Sequence, residues 1–525
     1  IAGGRYLAGD EPLRSFAAGQ AQSLTIEVAW PGGHRTVVTG AKPNHAYEIH
    51  EKNTQPKPPP LAKPKPMFID ASDWLNHKHS EHPSDDFLRQ PMLPRRLTES
   101  GPGVAFVDWD RDGRDELFFG PGAGGKLVGY SIAADGRLAK LDEPAFGQPF
   151  AGDALGLGVD RRGLLVAVSA HDSPGPTAPS LQRFRPGATK PEVIPLPSTN
   201  HSDAGSIAVA DVDDDDHLDV FVAGRGIPGK FPQPASSWLL RGGPGGLKLD
   251  AKQSAAFANI GLVTAAVFVN LDDNPLPELA LATEWGSIRI FKNSGGTFID
   301  ATKAWGLDQQ PGLWQTLAVG DFDNNGRFDL LAGNWGLNSH FKHVEKRVPY
   351  LVHGDIVGDG FYDALEARFD VAAQQLLPRH RLLTLEQLFP FLREQFPTHR
   401  RYAGATIQQL FAGQLAGAKL LKVSHLASVV LLNRGGTFEA KPLPLEAQLT
   451  PVNGATVADF DGDGNEDVFV SQNFFAVRVE DYRMDAGEGL LLLGDGRGQF
   501  ATVFGHRSGI KVFGEQRGCA VGDLN

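Results

Sequence analysis

Five short loops of this chain carry an oxygen-bearing side chain at positions 1, 3, 5 and 9, a spacing suited to coordinating a hard divalent cation. They read DWDRDGRDE from Asp108, DVDDDDHLD from Asp211, NLDDNPLPE from Asn270, DFDNNGRFD from Asp321 and DFDGDGNED from Asp459. Position 1 is thus Asp108, Asp211, Asn270, Asp321 or Asp459, and position 3 is Asp110, Asp213, Asp272, Asp323 or Asp461. Position 5 is Asp112, Asp215, Asn274, Asn325 or Asp463, and position 9 is Glu116, Asp219, Glu278, Asp329 or Asp467. Alternate residues of a tight loop can face one centre, while Arg114, His217, Arg327 and Asn465 at position 7 offer backbone carbonyls. Gly113, Gly326 and Gly464 permit the sharp turn. A single such loop also reads as a solvated acidic turn, but five in one chain favour calcium. The expectation is calcium in the first, second, fourth and fifth loops. The Asn270 loop, with only Asp272 and Glu278 as acids at the ligand positions and two prolines inside, stays open, so the count is four or five.

These loops need rigid elements on both sides. Apolar runs precede them (VAFV, IAVA, LAVG, ATVA) and follow them (ELFFG, LDVFVAG, FDLLAGN, EDVFVSQ), which predicts β-hairpins. A further strand-turn-strand recurs downstream around Asn293, Asn433 and Gly496, ending on Phe298, Phe438 or Phe500, so each repeat is about four strands. The two wide gaps between loops each hold a degenerate copy: LGLGVDRRGLLVAVS around Asp160 has lost its acids, and HGDIVGDGFYDAL keeps Asp355, Asp359 and Asp363. A period near 50 residues with four strands per unit predicts a mainly β fold, a β-propeller. Seven blades fit best, and eight also fit.

The loops and their strands resemble the FG-GAP or VCBS repeats, whose calcium-loop propellers are similar to the head of integrin α subunits. The resemblance covers roughly residues 67 to 525. At the front, GGRYLAGDEPLRSFAAG and LTIEVAWPGGHRTVV resemble the later part of an ASPIC/UnbV domain, a small β module found after such propellers in bacterial proteins and in relatives of cartilage acidic protein. Its marks are Gly3, Gly4, Tyr6 and the Trp30-Pro31-Gly32-Gly33 turn. The resemblance implies secretion and calcium-dependent structure, and it carries no catalytic residues. In the family the module follows its propeller, whereas here it comes first. The chain therefore reads as an internal segment of a longer multi-module protein, with Asp523 and Asn525 opening a further loop in a truncated last blade.

The domain reading is a partial ASPIC/UnbV-like module over 1–51, a linker over 52–66 and a propeller over 67–525. The linker KNTQPKPPPLAKPKP favours an extended, solvated spacer, or less readily a Pro-rich ligand. Hydrophobic residues make up 41 % of 525, enough for two cores, and 62 glycines with 37 prolines suit many turns. No run of about 18 apolar residues suggests a membrane span. The net charge of −12 says little about partners. Setting aside the 17 acids at ligand positions leaves 45 against 50 Lys and Arg. Nucleic acid is not an expected partner. Cys519 is the one cysteine, which excludes intrachain disulfides and suits a bacterial exterior protein stabilised by calcium.

From Leu382 to about Gly417 the pattern turns helical and predicts an inserted hairpin. Thr384 with Gln387 and Thr406 with Gln409 are spaced as capping boxes, and Leu385, Leu388, Phe389, Leu392 and Phe396 form an apolar stripe broken at Pro390 and Pro397. In NHKHSEHP, His77, His79 and His82 have a spacing open to one transition metal or to a structural entry strand. The chain lacks G-x-S-x-G, H-E-x-x-H, a P-loop and C-x-x-C-H, and calcium-bound carboxylates make poor general acids, so no enzyme is expected. The function expected is a calcium-stabilised extracellular structural, adhesive or protein-interaction module, with self-association or filament formation open. The alternative is a carbohydrate-binding propeller using exposed Trp285, Trp305, Trp314 and Trp335. Their exposure discriminates the two.

Overall fold

The computed structural model describes residues 15–52, 54, 65–80, 82–98, 100–133, 136–171, 179–197, 201–339, 341 and 348–522. Gly3, Gly4, Tyr6, Asp523, Asn525 and most of the Pro/Lys-rich run lie outside them. The chain divides into two compact units, Ile1–Lys65 and Pro66–Asn525. In the first, Leu24–Ala29 pairs antiparallel with Arg35–Ala41. The Trp30-Pro31-Gly32-Gly33 turn closes this hairpin. Gly33 adopts φ 85°, its N–H donates to the Trp30 carbonyl, and Trp30 Nε1 donates to Thr36 Oγ1 at 2.8 Å.

The second unit is mainly β. Among its described residues are six antiparallel sheets of four strands and one of five. The first comprises Val104–Val107, Glu116–Phe119, Val128–Ile132 and Leu138–Lys140. The second starts at Ala154–Asp160, the third at Asp203–Ala210, the fourth at Leu262–Val269, the fifth at Thr316–Gly320 and the sixth at Val452–Ala458. Apolar residues point from both faces of each sheet, so neighbouring sheets bury them against one another. One cluster joins Phe118 and Trp109 to Leu164 and Val166, a second joins Phe221 to Leu279, and a third joins Leu331 and Val430 to Val468. First strands of consecutive sheets lie side by side. Beyond the sixth, residues 517–522 run between the first strands of the sixth and first sheets: a Cβ on Gly454 would meet Cys519, and Cβ atoms on Gly518 and Gly522 would meet Val104 and Phe106. This small-sheet architecture, with its few short helices, fits a β-propeller.

Both gap regions hold sheets, but in different ways. The Asp160 hairpin opens an ordinary second sheet. The Asp355 hairpin belongs to a sheet nested inside the fifth, because the strands Pro349–Gly354, Asp363–Asp370, Gln375–Pro378 and Lys419–Lys422 lie between Asp329–Gly333 and Val429–Asn433, which pair with each other. The long spacing before Asp459 is therefore an insertion, and not an extra repeat in line.

The predicted helical hairpin is instead four short helices, Leu382–Leu388, Phe391–Gln395, His399–Tyr402 and Ile407–Leu410. Pro390 and Pro397 do break it. Leu385, Phe389 and Leu392 are buried against Val352, Ile356 and Leu365 of the nested sheet, with Leu388 and Phe396 partly buried beside them. The Thr406–Gln409 capping box forms. The Thr384–Gln387 box does not, because the first helix begins after Arg381 and Thr384 Oγ1 pairs with Glu480 at 3.4 Å. Among the described residues no helix is long and apolar enough to cross a membrane.

Candidate metal centres

Each acidic loop joins the first two strands of a sheet, and one hydrogen-bond scheme builds the Asp108, Asp211, Asp321 and Asp459 loops. The position-1 carboxylate accepts the N–H groups of positions 5 and 6: Asp108 from Asp112 and Gly113, Asp211 from Asp215 and Asp216, Asp321 from Asn325 and Gly326, Asp459 from Asp463 and Gly464. Position 5 caps position 7, as Asp112 does for Arg114 at 2.9 Å, Asp215 for His217, Asn325 for Arg327 and Asp463 for Asn465. Position 9 accepts the N–H of position 2, as Glu116 does from Trp109 and Asp329 from Phe322. The turn demands left-handed backbone at position 6, met by Gly113, Gly326 and Gly464 and, at φ 64°, by Asp216.

Positions 1, 3 and 9 converge. Oxygens of Asp108, Asp110 and Glu116 lie within 4.8 Å of one another, as do those of Asp211, Asp213 and Asp219, of Asp321, Asp323 and Asp329, and of Asp459, Asp461 and Asp467. Position 5 stands outside these groups and is occupied in capping. Position 9 is buried, at 3 % exposure for Glu116 and 0 % for Asp329 and Asp467, while positions 1 and 3 are half-buried or exposed. Burial, followed by the like charges of Asp110, Asp112 and Asp108, pushes Glu116 up to about 7. Burial and Asp323 likewise push Asp329 up to about 7. Three carboxylate oxygens focused on one point form a donor set that fits calcium, and the buried Oδ1 of Asp323 lacks a protein hydrogen-bond partner.

The loops differ in what neutralises them. Residues facing position 9 across the second and third strands are Ser131, Arg241, Lys292, Leu432 and Leu493, one step beyond the paired residues. Arg241 Nη1 lies 3.2 Å from Asp213 and 3.1 Å from Asp219. Arg434 pairs with Asp323 in the Asp321 loop. In the Asn270 loop Lys292 Nζ pairs with Asp272 at 2.6 Å, Asn270 Nδ2 donates to the Asn274 carbonyl, and Asn274 caps Leu276. A protein ammonium and an amide thus sit where the other loops present carboxylates. The Asp355 loop repeats the fold, with Gly360, Phe361 and Ile356 N–H groups donating to Asp355, Asp359 and Asp363, but places Val357 at position 3.

Two stitching residues escaped the sequence reading. Asn293 Nδ2 donates to the Val212 carbonyl of the preceding loop at 2.8 Å, and Asn433 Nδ2 donates to the Leu271 carbonyl at 2.8 Å. Their signal was a common place at the end of the third strand. The imidazoles of His77, His79 and His82 do not gather into a metal group: His77 stacks on Phe119 with centroids 4.6 Å apart, and His82 packs over Gly124. Trp285, Trp305, Trp314 and Trp335 are 6, 5, 1 and 2 % exposed, so the sugar platform expected of them is absent, and they fill the core between elements.

Residues 270–332 match the model of the FG-GAP-like repeat, and residues 1–56 that of ASPIC and UnbV. Human cartilage acidic protein 1 is 26 % identical over 184 residues, which are 35 % of this chain and 24 % of that protein. The chain therefore spans about a quarter of the curated relative it matches. A solved arginine-to-alanine mutant of AofleA from Arthrobotrys oligospora aligns over 78 % of this chain and 88 % of its own, at 11 % identity and a TM-score of 0.32, too loose a likeness to argue from. The chain thus carries a stretch similar to the FG-GAP-like repeat and a segment similar to ASPIC/UnbV. Over part of its length it is distantly similar to cartilage acidic protein 1.

Proposed function

We propose that residues 66–525 form a calcium-rigidified β-propeller that works as a non-enzymatic protein-interaction or adhesive module at the cell exterior. Six sheets occupy consecutive places around the ring, and residues 517–522 take the innermost place of a seventh. One observation carries the reading: in four sheets the same backbone-capped loop brings three carboxylates within 4.8 Å. Calcium would be held there by Asp108, Asp110 and Glu116 and by their counterparts, neutralising charges the fold has concentrated and locking the first hairpin of each sheet. The FG-GAP-like match supports an interaction role, and the cartilage acidic protein relationship supports an exterior setting.

The test is calcium calorimetry on EDTA-stripped protein with thermal unfolding followed in parallel. Binding of about four ions with a rise in Tm is expected, because a ligand bound only by the folded state stabilises it. Saturating calcium that leaves both heat and Tm unchanged sinks the proposal.

A further inference from the structure

Between the segment 74–80 and the first sheet lies a cleft of about 700 Å³, within the size range of small-ligand sites. Three lysines, Lys78, Lys126 and Lys140, and two histidines, His77 and His79, line it, and no Asp or Glu does. All three lysines are exposed along their length and so can turn inward. His77 is fixed by its stack on Phe119, and its Nε2 is buried without a hydrogen-bond partner. Burial, with smaller contributions from His79 and Lys140, shifts the His77 imidazole toward its neutral form. Trp74, 59 % exposed, offers an indole face at the rim. The walls are held together by Tyr130, whose hydroxyl donates to the Leu75 carbonyl at 2.9 Å, and by the His82 N–H donating to the Ala123 carbonyl at 3.0 Å.

An apolar ring face bordered by cations matches a sugar ring that bears a negative group, since the indole covers the ring's C–H face while ammonium groups meet the charge. We infer that this cleft binds an acidic saccharide, a sugar carrying a carboxylate or a sulfate. The inference stands apart from the calcium reading, because none of the lining residues belongs to an acidic loop.

Isothermal calorimetry on the full chain tests it with trigalacturonate and a singly sulfated trisaccharide as the two charged probes, and maltotriose, inorganic sulfate and hexa-aspartate as comparators. One or both charged sugars are expected to bind with Kd below about 1 mM and to weaken as salt rises, as charge recognition requires. The triple variant Lys78→Gln, Lys126→Gln, Lys140→Gln should weaken binding at least tenfold, and His77→Phe, which keeps the ring stack, at least threefold. The control Lys252→Gln, Lys303→Gln should leave binding unchanged. All these lysines are exposed, so folding is preserved, and a circular dichroism melt checks it. The inference is overturned if neither charged sugar binds at 5 mM or if the triple variant binds as well as the parent. It is equally overturned if maltotriose, inorganic sulfate or hexa-aspartate binds as tightly as the charged sugars.

Discussion

Lys292 reaches Asp272 from the strand facing Glu278, and Arg241 holds the same register in the neighbouring sheet. In the Asn270 loop this ammonium supplies from within the chain the positive charge that calcium would supply elsewhere. Lys292→Gln is therefore expected to raise the calorimetric stoichiometry for calcium by one, with a loss of no more than about 1 kcal/mol in EDTA, since the pair is half-exposed. An unchanged ion count would mean that Asn270 at position 1, rather than Lys292, keeps calcium out. The carboxylates of positions 1, 3 and 9 were legible in the sequence because one loop holds them all. Lys292, Arg241 and Arg434 were not, because they arrive from strands or a strand end at least 20 residues away, whose register no local pattern states.

The nested sheet and its helices bury two histidines in neutral form. Burial, then the Arg478 guanidinium that donates to its Nδ1 at 2.7 Å, pushes His380 down to about 3, against the opposing pull of Glu366. Burial and Lys419 push His353 down to about 4. Both folded values lie below the unfolded value of about 6.5, so between them the unfolded chain binds more protons. Stability from these groups is present above pH 6.5 and falls as pH drops toward 4 and then 3, by up to about 1.4 kcal/mol per group and pH unit. Urea titrations at pH 7, 6 and 5 should show the parent losing stability relative to a His353→Gln, His380→Gln variant. Parallel curves would refute the buried-neutral assignment. The helices themselves were readable from Thr406, Gln409 and the prolines. Their number was not, because Phe389 and Phe396 end helices where packing on the nested sheet needs them to.

Across the whole second unit, residues 85–98 act as a strap over several sheets. Asp86 accepts from the Leu97 and Thr98 N–H groups and pairs with His171, just beyond the second strand of the second sheet, Gln90 exchanges hydrogen bonds with Phe231, and the Arg96 N–H donates to the Ala476 carbonyl. Arg95 grips Glu284 through two nitrogens, with its Nε at 3.0 Å, while Arg225 of the third sheet takes the same carboxylate at 3.0 Å. Burial opposes ionisation of Glu284, but Arg95 and Arg225 hold its carboxyl below the usual range. Arg95→Ala removes one arm of a buried pair and is expected to cost about 3 kcal/mol in urea unfolding. A loss below about 1 kcal/mol would show that the strap rests on the sheets without holding them.

The hairpins, the acidic loops and their repetition follow from local sequence, because strand alternation, turn glycines and ligand spacing are encoded within some ten residues. The nesting of the Asp355 repeat in another sheet, the core position of the four tryptophans and the reach of Lys292 and Arg241 into acidic loops arise from long-range packing. The cleft beside the first sheet belongs to the same group, with its lysines gathered from Lys78 to Lys140. Each of these depends on pairings between residues distant in the chain, which are settled by how sheets bury their faces against one another.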